Sequence, residues 1–217
     1  MCKKTDWDLK KQMLLYAVTD RSWLNGKTLY EQVKDALDGG VTFVQLREKE
    51  LEAEQFFQEA CRIRELCAAY HVPFVINDNV EIALRSGADG VHVGQSDMEA
   101  GNVRALLGPD KIIGVSCHNV QQAFKAQECG ADYLGVGAMF PTGTKKDASA
   151  TSIKTLQEIC ARVTVPVVAI GGITRENIQL LMGSGISGIA VVSAIFAQPD
   201  IREATAGLKI ILDDMKM

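Results

Sequence analysis

The sequence predicts a single-domain α/β protein, a (β/α)8 barrel of the TIM type, on three observations. First, four segments share one grammar: "DGGVTFVQLRE", "SGADGVHVGQ", "CGADYLGVGA" and "SGISGIAVVS". In each, a helical pattern stops at glycine, a small or polar residue follows, and an apolar run begins; glycine suits the left-handed turn that ends a helix. Second, Gly40, Gly87, Gly130 and Gly185 stand 47, 43 and 55 residues apart, room for about two βα units in each interval. Third, the runs are apolar on both sides and alternate with amphipathic stretches, the pattern of a parallel sheet covered by helices.

Taken in order, residues 1–13, "MCKKTDWDLKKQM", are a polar N-terminal extension, and "LLYAVTD" opens the barrel as its first strand. "FVQLREKE" is the second, followed by a helix on which Phe56, Ala60, Ile63 and Cys67 share one face. "HVPFVIND", "SGADGVHVGQ", "DKIIGVSC" and "CGADYLGVGA" supply the third to sixth strands. "TVPVVAIGG" is the seventh, with Ile178, Leu181 and Met182 marking the helix behind it, and "SGISGIAVVS" is the eighth. Eight units in 217 residues fit a small closed barrel. The alternative is an open doubly wound sheet, but no G-x-G-x-x-G follows the first strand. No linker or low-complexity run interrupts the chain, so residues 1–217 read as one domain.

Composition narrows the function. Net charge is −4, and Lys and Arg are scattered, which is not the footprint of a nucleic-acid binder. The polar start lacks a signal-peptide core, and no apolar run is long enough for a bilayer, so a cytoplasmic protein without membrane association is expected. In that compartment Cys2, Cys61, Cys67, Cys117, Cys129 and Cys160 read as reduced thiols. His71, His92 and His118 show no zinc-ligand spacing with them. A homo-oligomer is compatible with all of this.

The strand ends carry the chemistry. Alternation along "FVQLREKE" puts Val44, Leu46 and Glu48 on one side and Phe43, Gln45, Arg47 and Lys49 on the other. In a barrel the second set climbs the inside toward the C-terminal rim, where sites in this fold lie, and an amide with two cations invites an anion. Other strands end in Asn77 and Asp78, in His92, Gln95 and Asp97, and in Ser116 and His118. Asp78 and Asp97 beside Arg47 and Lys49 suit Mg²⁺ with a bound polyphosphate, although each carboxylate alone also suits a helix N-cap. Ser116 has no base partner in sequence, so a phosphate contact is expected of it and not a nucleophilic triad. His92 is open between packing and function, while Cys117, His118 and Cys129 read as structural.

The long segment "GAMFPTGTKKDAS" brings Thr142, Thr144 and Lys145 to the same rim, which favours a lid closing on an anion. Gly171 and Gly172 admit close approach of a ligand to backbone N–H groups, and Ser193 stands where a helix begins. Phosphate between the last two βα loops recurs in this fold. Two anion sites follow, one metal-assisted near strands two to five and one metal-free near strands six to eight.

Together "QLREK" (45–49), "ND" (77–78), "HVGQSD" (92–97), "GVS" (114–116), "GAMFPTGTK" (137–145), "GGI" (171–173) and "VVSAI" (191–195) closely resemble the thiamine phosphate synthase family. The resemblance runs in order from about Leu14 to Phe196. It implies a transferase of thiamine biosynthesis that joins 4-amino-2-methyl-5-hydroxymethylpyrimidine diphosphate to 4-methyl-5-(2-hydroxyethyl)thiazole phosphate and releases diphosphate. It also implies that Gln45, Leu46, Arg47, Glu48, Lys49, Asn77, Ser116 and Lys145 line the pyrimidine diphosphate, with Arg47, Lys49, Ser116 and Lys145 acting in catalysis. Asp78 and Asp97 would hold Mg²⁺, and Thr142, Thr144, Gly172, Val192 and Ser193 the thiazole phosphate. A thiazole tautomerase should lack the full F-P-T-x-T-K loop, and a phosphate-barrel isomerase needs a strong acid/base pair on the rim. A phosphometabolite-binding regulator without turnover is the reading of a different class.

Overall fold

The computed structural model describes residues 6–95, 103–143 and 150–215. All eight expected strands form: β1 (Leu15–Val18), β2 (Phe43–Leu46), β3 (Phe74–Asn77), β4 (Gly90–Val93), β5 (Ile112–Cys117), β6 (Tyr133–Val136), β7 (Val167–Ile170) and β8 (Gly188–Val191). They close in sequence order into one barrel, and β8 pairs in parallel with β1, so no strand edge is left open. The α-helices of the described residues are α1 (Leu9–Gln12), α2 (Leu29–Asp38), α3 (Ala53–Ala69), α4 (Val80–Ser86), α5 (Val103–Leu107), α6 (Val120–Glu128), α7 (Ile153–Arg162), α8 (Ser193–Phe196) and α9 (Ile201–Asp214).

The shared grammar has a physical origin at the floor of the barrel. Gly40, Gly87, Gly130 and Gly185 take φ of 101°, 71°, 88° and 85°, a region closed to most side chains. Two residues after each glycine stands Thr42, Asp89, Asp132 or Ser187, and each N–H donates to a carbonyl in the strand before its own: Leu15, Phe74, Ile113 or Val167. Three of the four return the bond. Thr42 Oγ1 accepts from the Leu15 N–H, Asp89 from Phe74 and Asp132 from Ile113, each at 2.9 Å. Each even-numbered strand is thereby clasped to the odd strand before it.

Alternation sorts the side chains into two cores. Leu15, Ala17, Val44, Leu46, Phe74 and Ile76 join the layer between sheet and helices. Tyr16, Val18, Phe43, Val75, Ile112, Tyr133, Val168 and Ala190 fill the barrel itself. The N-terminal segment is more than a polar extension, because Met13 belongs to this inner core and Trp7 and Leu9 pack against it. Three apolar residues in a charged stretch are enough to close the floor. The segment behind β7 also differs from expectation. It is a four-residue 3-10 helix, Ile178–Leu181, whose three-residue turn aligns buried Ile178 with buried Leu181. Met182 lies beyond its end and is 56% exposed, so it is no part of the core face.

Two of the inward strand positions held by glycine make room for rings inside the barrel. A Cβ on Gly114 would stand 2.1 Å from Tyr133 Cζ, and one on Gly135 would stand 3.2 Å from His92 Cε1. These glycines give the two rings their space. Gly114→Ala should therefore destabilise the fold by about 1–3 kcal/mol, the usual cost of an overpacked core. It should lower the urea midpoint without changing the slope. An unchanged midpoint would show slack in the interior.

Candidate active site

At the C-terminal mouth the inward positions are polar. Gln45 is 4% exposed and donates from Nε2 to the Tyr16 hydroxyl at 2.5 Å. One turn of the pleat higher, Arg47 bonds Asp20 Oδ2 through Nη1 at 3.1 Å, with its own N–H on Thr19 Oγ1. Asp20 is held in turn by accepting from the Ser22 N–H at the start of the 3-10 helix Arg21–Trp23. Arg47 and Lys49 line a cleft of about 280 Å³ together with Asp20, Arg21 and Ser22. Lys49 also lines an adjoining cleft of about 480 Å³ with Asn77, Asp78 and Asn79. The expected cations and the expected carboxylate thus meet at one mouth.

The side chains of two other members of the "QLREK" segment are engaged within the protein, although Glu48 itself lines both clefts. Leu46 is fully buried under the helices. Both oxygens of Glu48 accept from Arg21 Nε at 2.7 and 2.8 Å, and Arg21 Nη2 also bonds Glu59. Burial raises the Glu48 carboxyl above its ordinary value, with Arg21 opposing. Through Arg21, Glu48 ties the strand end to Glu59 of α3. Asp78 sits at φ 60°, a left-handed conformation rare outside glycine. Its N–H donates to the His92 carbonyl at 2.8 Å and its Oδ2 accepts from Asn77 Nδ2 at 2.6 Å. The exposed carboxylate is fixed by backbone strain and a neighbouring amide, and such strain gathers at functional sites.

Ser116 does have a partner that the sequence hid. His92 Nε2 lies 3.0 Å from Ser116 Oγ, and His92 Nδ1 lies 2.9 Å from the Tyr133 hydroxyl. Gln95 donates to the Ser116 carbonyl at 2.6 Å. His118 behaves as a structural residue: its Nδ1 bonds the Gly137 carbonyl, which also accepts from Thr151 Oγ1, at the root of the long loop. That root is stitched to the next loop by Met139 N–H to Ile170 and Phe140 N–H to Gly171. Gly171 and Gly172 take φ of 97° and 65°, and a Cβ on Gly172 would stand 2.4 Å from the Pro141 carbonyl. Close approach is real here, and its first beneficiary is the neighbouring loop. Thr142 lies half-buried just above. Val192 and Ser193 stand at the start of α8, on the loop after β8, next to the β7 loop that carries Gly171 and Gly172. Asp97, Thr144 and Lys145 lie outside the described residues.

Strand-end reading missed four participants: Asp20, Arg21, Tyr16 and Tyr133. The tyrosines had a visible signal, since glycine inside a strand marks close approach by another group, and Gly114 and Gly135 make room for Tyr133 and its partner His92. Among the described residues no group of three or more His, Cys, Asp or Glu could hold a metal, and no helix is long and apolar enough to cross a membrane.

Barrel and mouth together define a class, a (β/α)8-barrel enzyme whose polar groups gather at the C-terminal ends of the strands. A family model described as thiamine monophosphate synthase matches residues 15–195, and the chain belongs to that family of transferases. The chain is 53% identical over 194 residues to a thiamine-phosphate synthase of Ruminiclostridium cellulolyticum, covering 89% of this chain and 92% of that one. It is 49% identical over 201 residues to one from Clostridium botulinum, covering 93% and 94%. Among solved structures, a thiamine phosphate pyrophosphorylase from Pyrococcus furiosus superposes with a TM-score of 0.89 at 36% identity, covering 97% of this chain and all of that one. The resemblance carried by the motifs is borne out.

Proposed function

We propose that the chain joins 4-amino-2-methyl-5-hydroxymethylpyrimidine diphosphate to 4-methyl-5-(2-hydroxyethyl)thiazole phosphate in the cytoplasm, with Mg²⁺ as cofactor. The observation that carries this is the convergence of Arg47, Lys49, Asn77 and Asp78 on adjoining clefts at the mouth. The acceptor, a thiazole nitrogen, has a free lone pair and needs no base. The electron-rich aminopyrimidine tolerates positive charge at its exocyclic methylene once diphosphate departs. Protein catalysis then consists of stabilising charge on the leaving group and holding the acceptor in line. In this reading Arg47 and Lys49 bind the diphosphate, Asn77 and Ser116 contribute hydrogen bonds, and Lys145 approaches from the loop.

Asp78 fits Mg²⁺, which is held by one or two carboxylates plus substrate phosphate oxygens and not by a closed protein cage. Asp97 is the second proposed ligand. When bound, the ion supplies charge neutralisation at the diphosphate.

Thiazole phosphate is assigned to Thr142, Thr144, Gly172, Val192 and Ser193, across the mouth from Asp78. Ser193→Ala should weaken its binding about 10-fold, as for a hydrogen bond to a charged group, with little effect on the pyrimidine diphosphate. Equal loss of both ligands in a direct titration would show that the two sites are one. Gly172 is a poorer probe, because any side chain there collides with the Pro141 carbonyl before a ligand is considered.

The deciding experiment mixes the purified protein with both substrates and Mg²⁺ and measures thiamine phosphate and diphosphate. Stoichiometric binding of both substrates without product would overturn the reading in favour of a non-catalytic binder.

A further inference from the structure

Five side chains form a continuous hydrogen-bonded chain through the barrel. Gln45 Nε2 lies 2.5 Å from the Tyr16 hydroxyl, which lies 2.7 Å from the Tyr133 hydroxyl. The Tyr133 hydroxyl lies 2.9 Å from His92 Nδ1, and His92 Nε2 lies 3.0 Å from Ser116 Oγ. The five residues come from β2, β1, β6, β4 and β5, and the two tyrosines are 117 residues apart. We propose that Tyr16 and Tyr133 are positioning residues that set the direction of this chain, so that Ser116 meets its ligand as a hydrogen-bond donor and not as a nucleophile.

The direction follows from the donor at one end. An amide nitrogen can only donate, so the Tyr16 oxygen accepts and its single O–H passes to Tyr133. Tyr133 then gives its own O–H to His92 Nδ1. A neutral imidazole that accepts at Nδ1 carries its proton on Nε2, and that N–H donates to Ser116 Oγ. The serine keeps its proton and turns it toward the mouth. In a nucleophilic triad a carboxylate accepts from Nδ1–H, which leaves Nε2 bare to take the serine proton. Here a phenol donates to Nδ1, and the polarity is reversed.

The interior is built around this chain. Tyr16 and Tyr133 are 1% and 0% exposed, and both pack on Phe43 with ring centroids 4.5 and 5.6 Å away. Gly114 and Gly135 leave space for Tyr133 and His92. Burial pushes both phenols above the ordinary tyrosine value, so each retains its O–H at neutral pH. A donor held by buried rings needs no reorganisation as charge grows on a departing anion. That use of Ser116 rests on the diphosphate reading of the mouth, whereas the direction of the chain does not.

The test separates the two. Nitrogen-15 spectra of histidine-labelled protein contain three histidines, and His92→Gln assigns the relevant signals. At neutral pH His92 should carry its proton on Nε2. Gln45→Glu replaces the donor by an acceptor and should move the proton to Nδ1. Tyr133→Phe fills the same space without the hydroxyl and should leave the tautomer mixed. It should also slow single turnover about 10-fold while changing the KM for pyrimidine diphosphate less than two-fold. A proton on Nδ1 in the parent protein, or a tautomer indifferent to Gln45→Glu, overturns the proposed direction. A shifted tautomer in Tyr133→Phe with parental single-turnover rate overturns the positioning role. The spectra need no substrate, so failure of the proposed reaction and failure of the relay are told apart.

Discussion

Asp78→Asn is expected to fold as the parent does and to lose about 100-fold in turnover, the scale seen when one electrostatic contact to developing charge is removed. The fold should survive because the left-handed backbone at φ 60° is one that Asn, almost alone among non-glycine residues, shares with Asp. Asn also keeps an oxygen that can accept from Asn77. What disappears is the negative charge at the rim of the cleft that Asp78 shares with Lys49. Raising Mg²⁺ should restore part of the rate, as expected when ion affinity and not shape has been damaged. Initial rates across an Mg²⁺ titration, with and without a strong chelator, measure this. Undiminished parental activity in the chelator would remove Asp78 from a metal role.

Arg47→Ala should slow the chemical step by about one to two decades, the rate equivalent of a charge-assisted hydrogen bond of roughly 1.5–3 kcal/mol. Arg47→Lys should fall between Ala and the parent, because Lys keeps the charge but loses the planar fork that can engage two phosphate oxygens. If diphosphate departure limits the chemical step, the loss belongs in the single-turnover rate more than in ground-state affinity. The Asp20 pair adds a second consequence. Arg47 and Asp20 are only 16% and 13% exposed, so removing Arg47 leaves a half-buried carboxylate without this partner. Some loss of stability should accompany Arg47→Ala, and Asp20→Asn in the same background should recover it without restoring the rate. Parental single-turnover kinetics in Arg47→Ala would reduce the strand end to a solvated surface feature.

Local rules made the strands legible. Gly40, Gly87, Gly130 and Gly185 must turn left-handed wherever the helices end, and that need is written in each residue without reference to the rest of the chain. Alternation likewise sent Gln45 inward and Leu46 outward, as the two cores confirm. The family motif adds Leu46 and Glu48 to the ligand lining; Leu46 is buried on the outward face as the pleat predicts, whereas Glu48 lines both clefts. What stayed hidden depends on closure. Tyr16 and Tyr133 touch because β1 and β6 face each other across the barrel, a distance that periodicity along the chain does not encode. Ser116 acquires His92 from the neighbouring strand, 24 residues away, through register alone. Met182 was misread because a short 3-10 helix and an α-helix look alike over five residues.

The clasps at the barrel floor make the chain modular. Every clasp joins an odd strand to the even strand that follows it, within about 30 residues of chain, and so is complete inside a single strand–helix–strand cassette. Between cassettes ladder pairing is supplemented by single side-chain bonds of no common form, such as Lys111 Nζ to the Ala88 carbonyl and the Thr164 N–H to Gln127 Oε1. A cassette moved as a unit therefore brings its own fastening with it, leaving the mouth residues Gln45, Asn77 and Ser116 and a few side-chain bonds such as Lys111 to Ala88 to be matched to new neighbours. Ser187 retains the backbone half of the clasp, donating to Val167. Four cassettes thus share one fastening at the floor, three with both halves and one with the backbone half, while each carries different residues at the mouth.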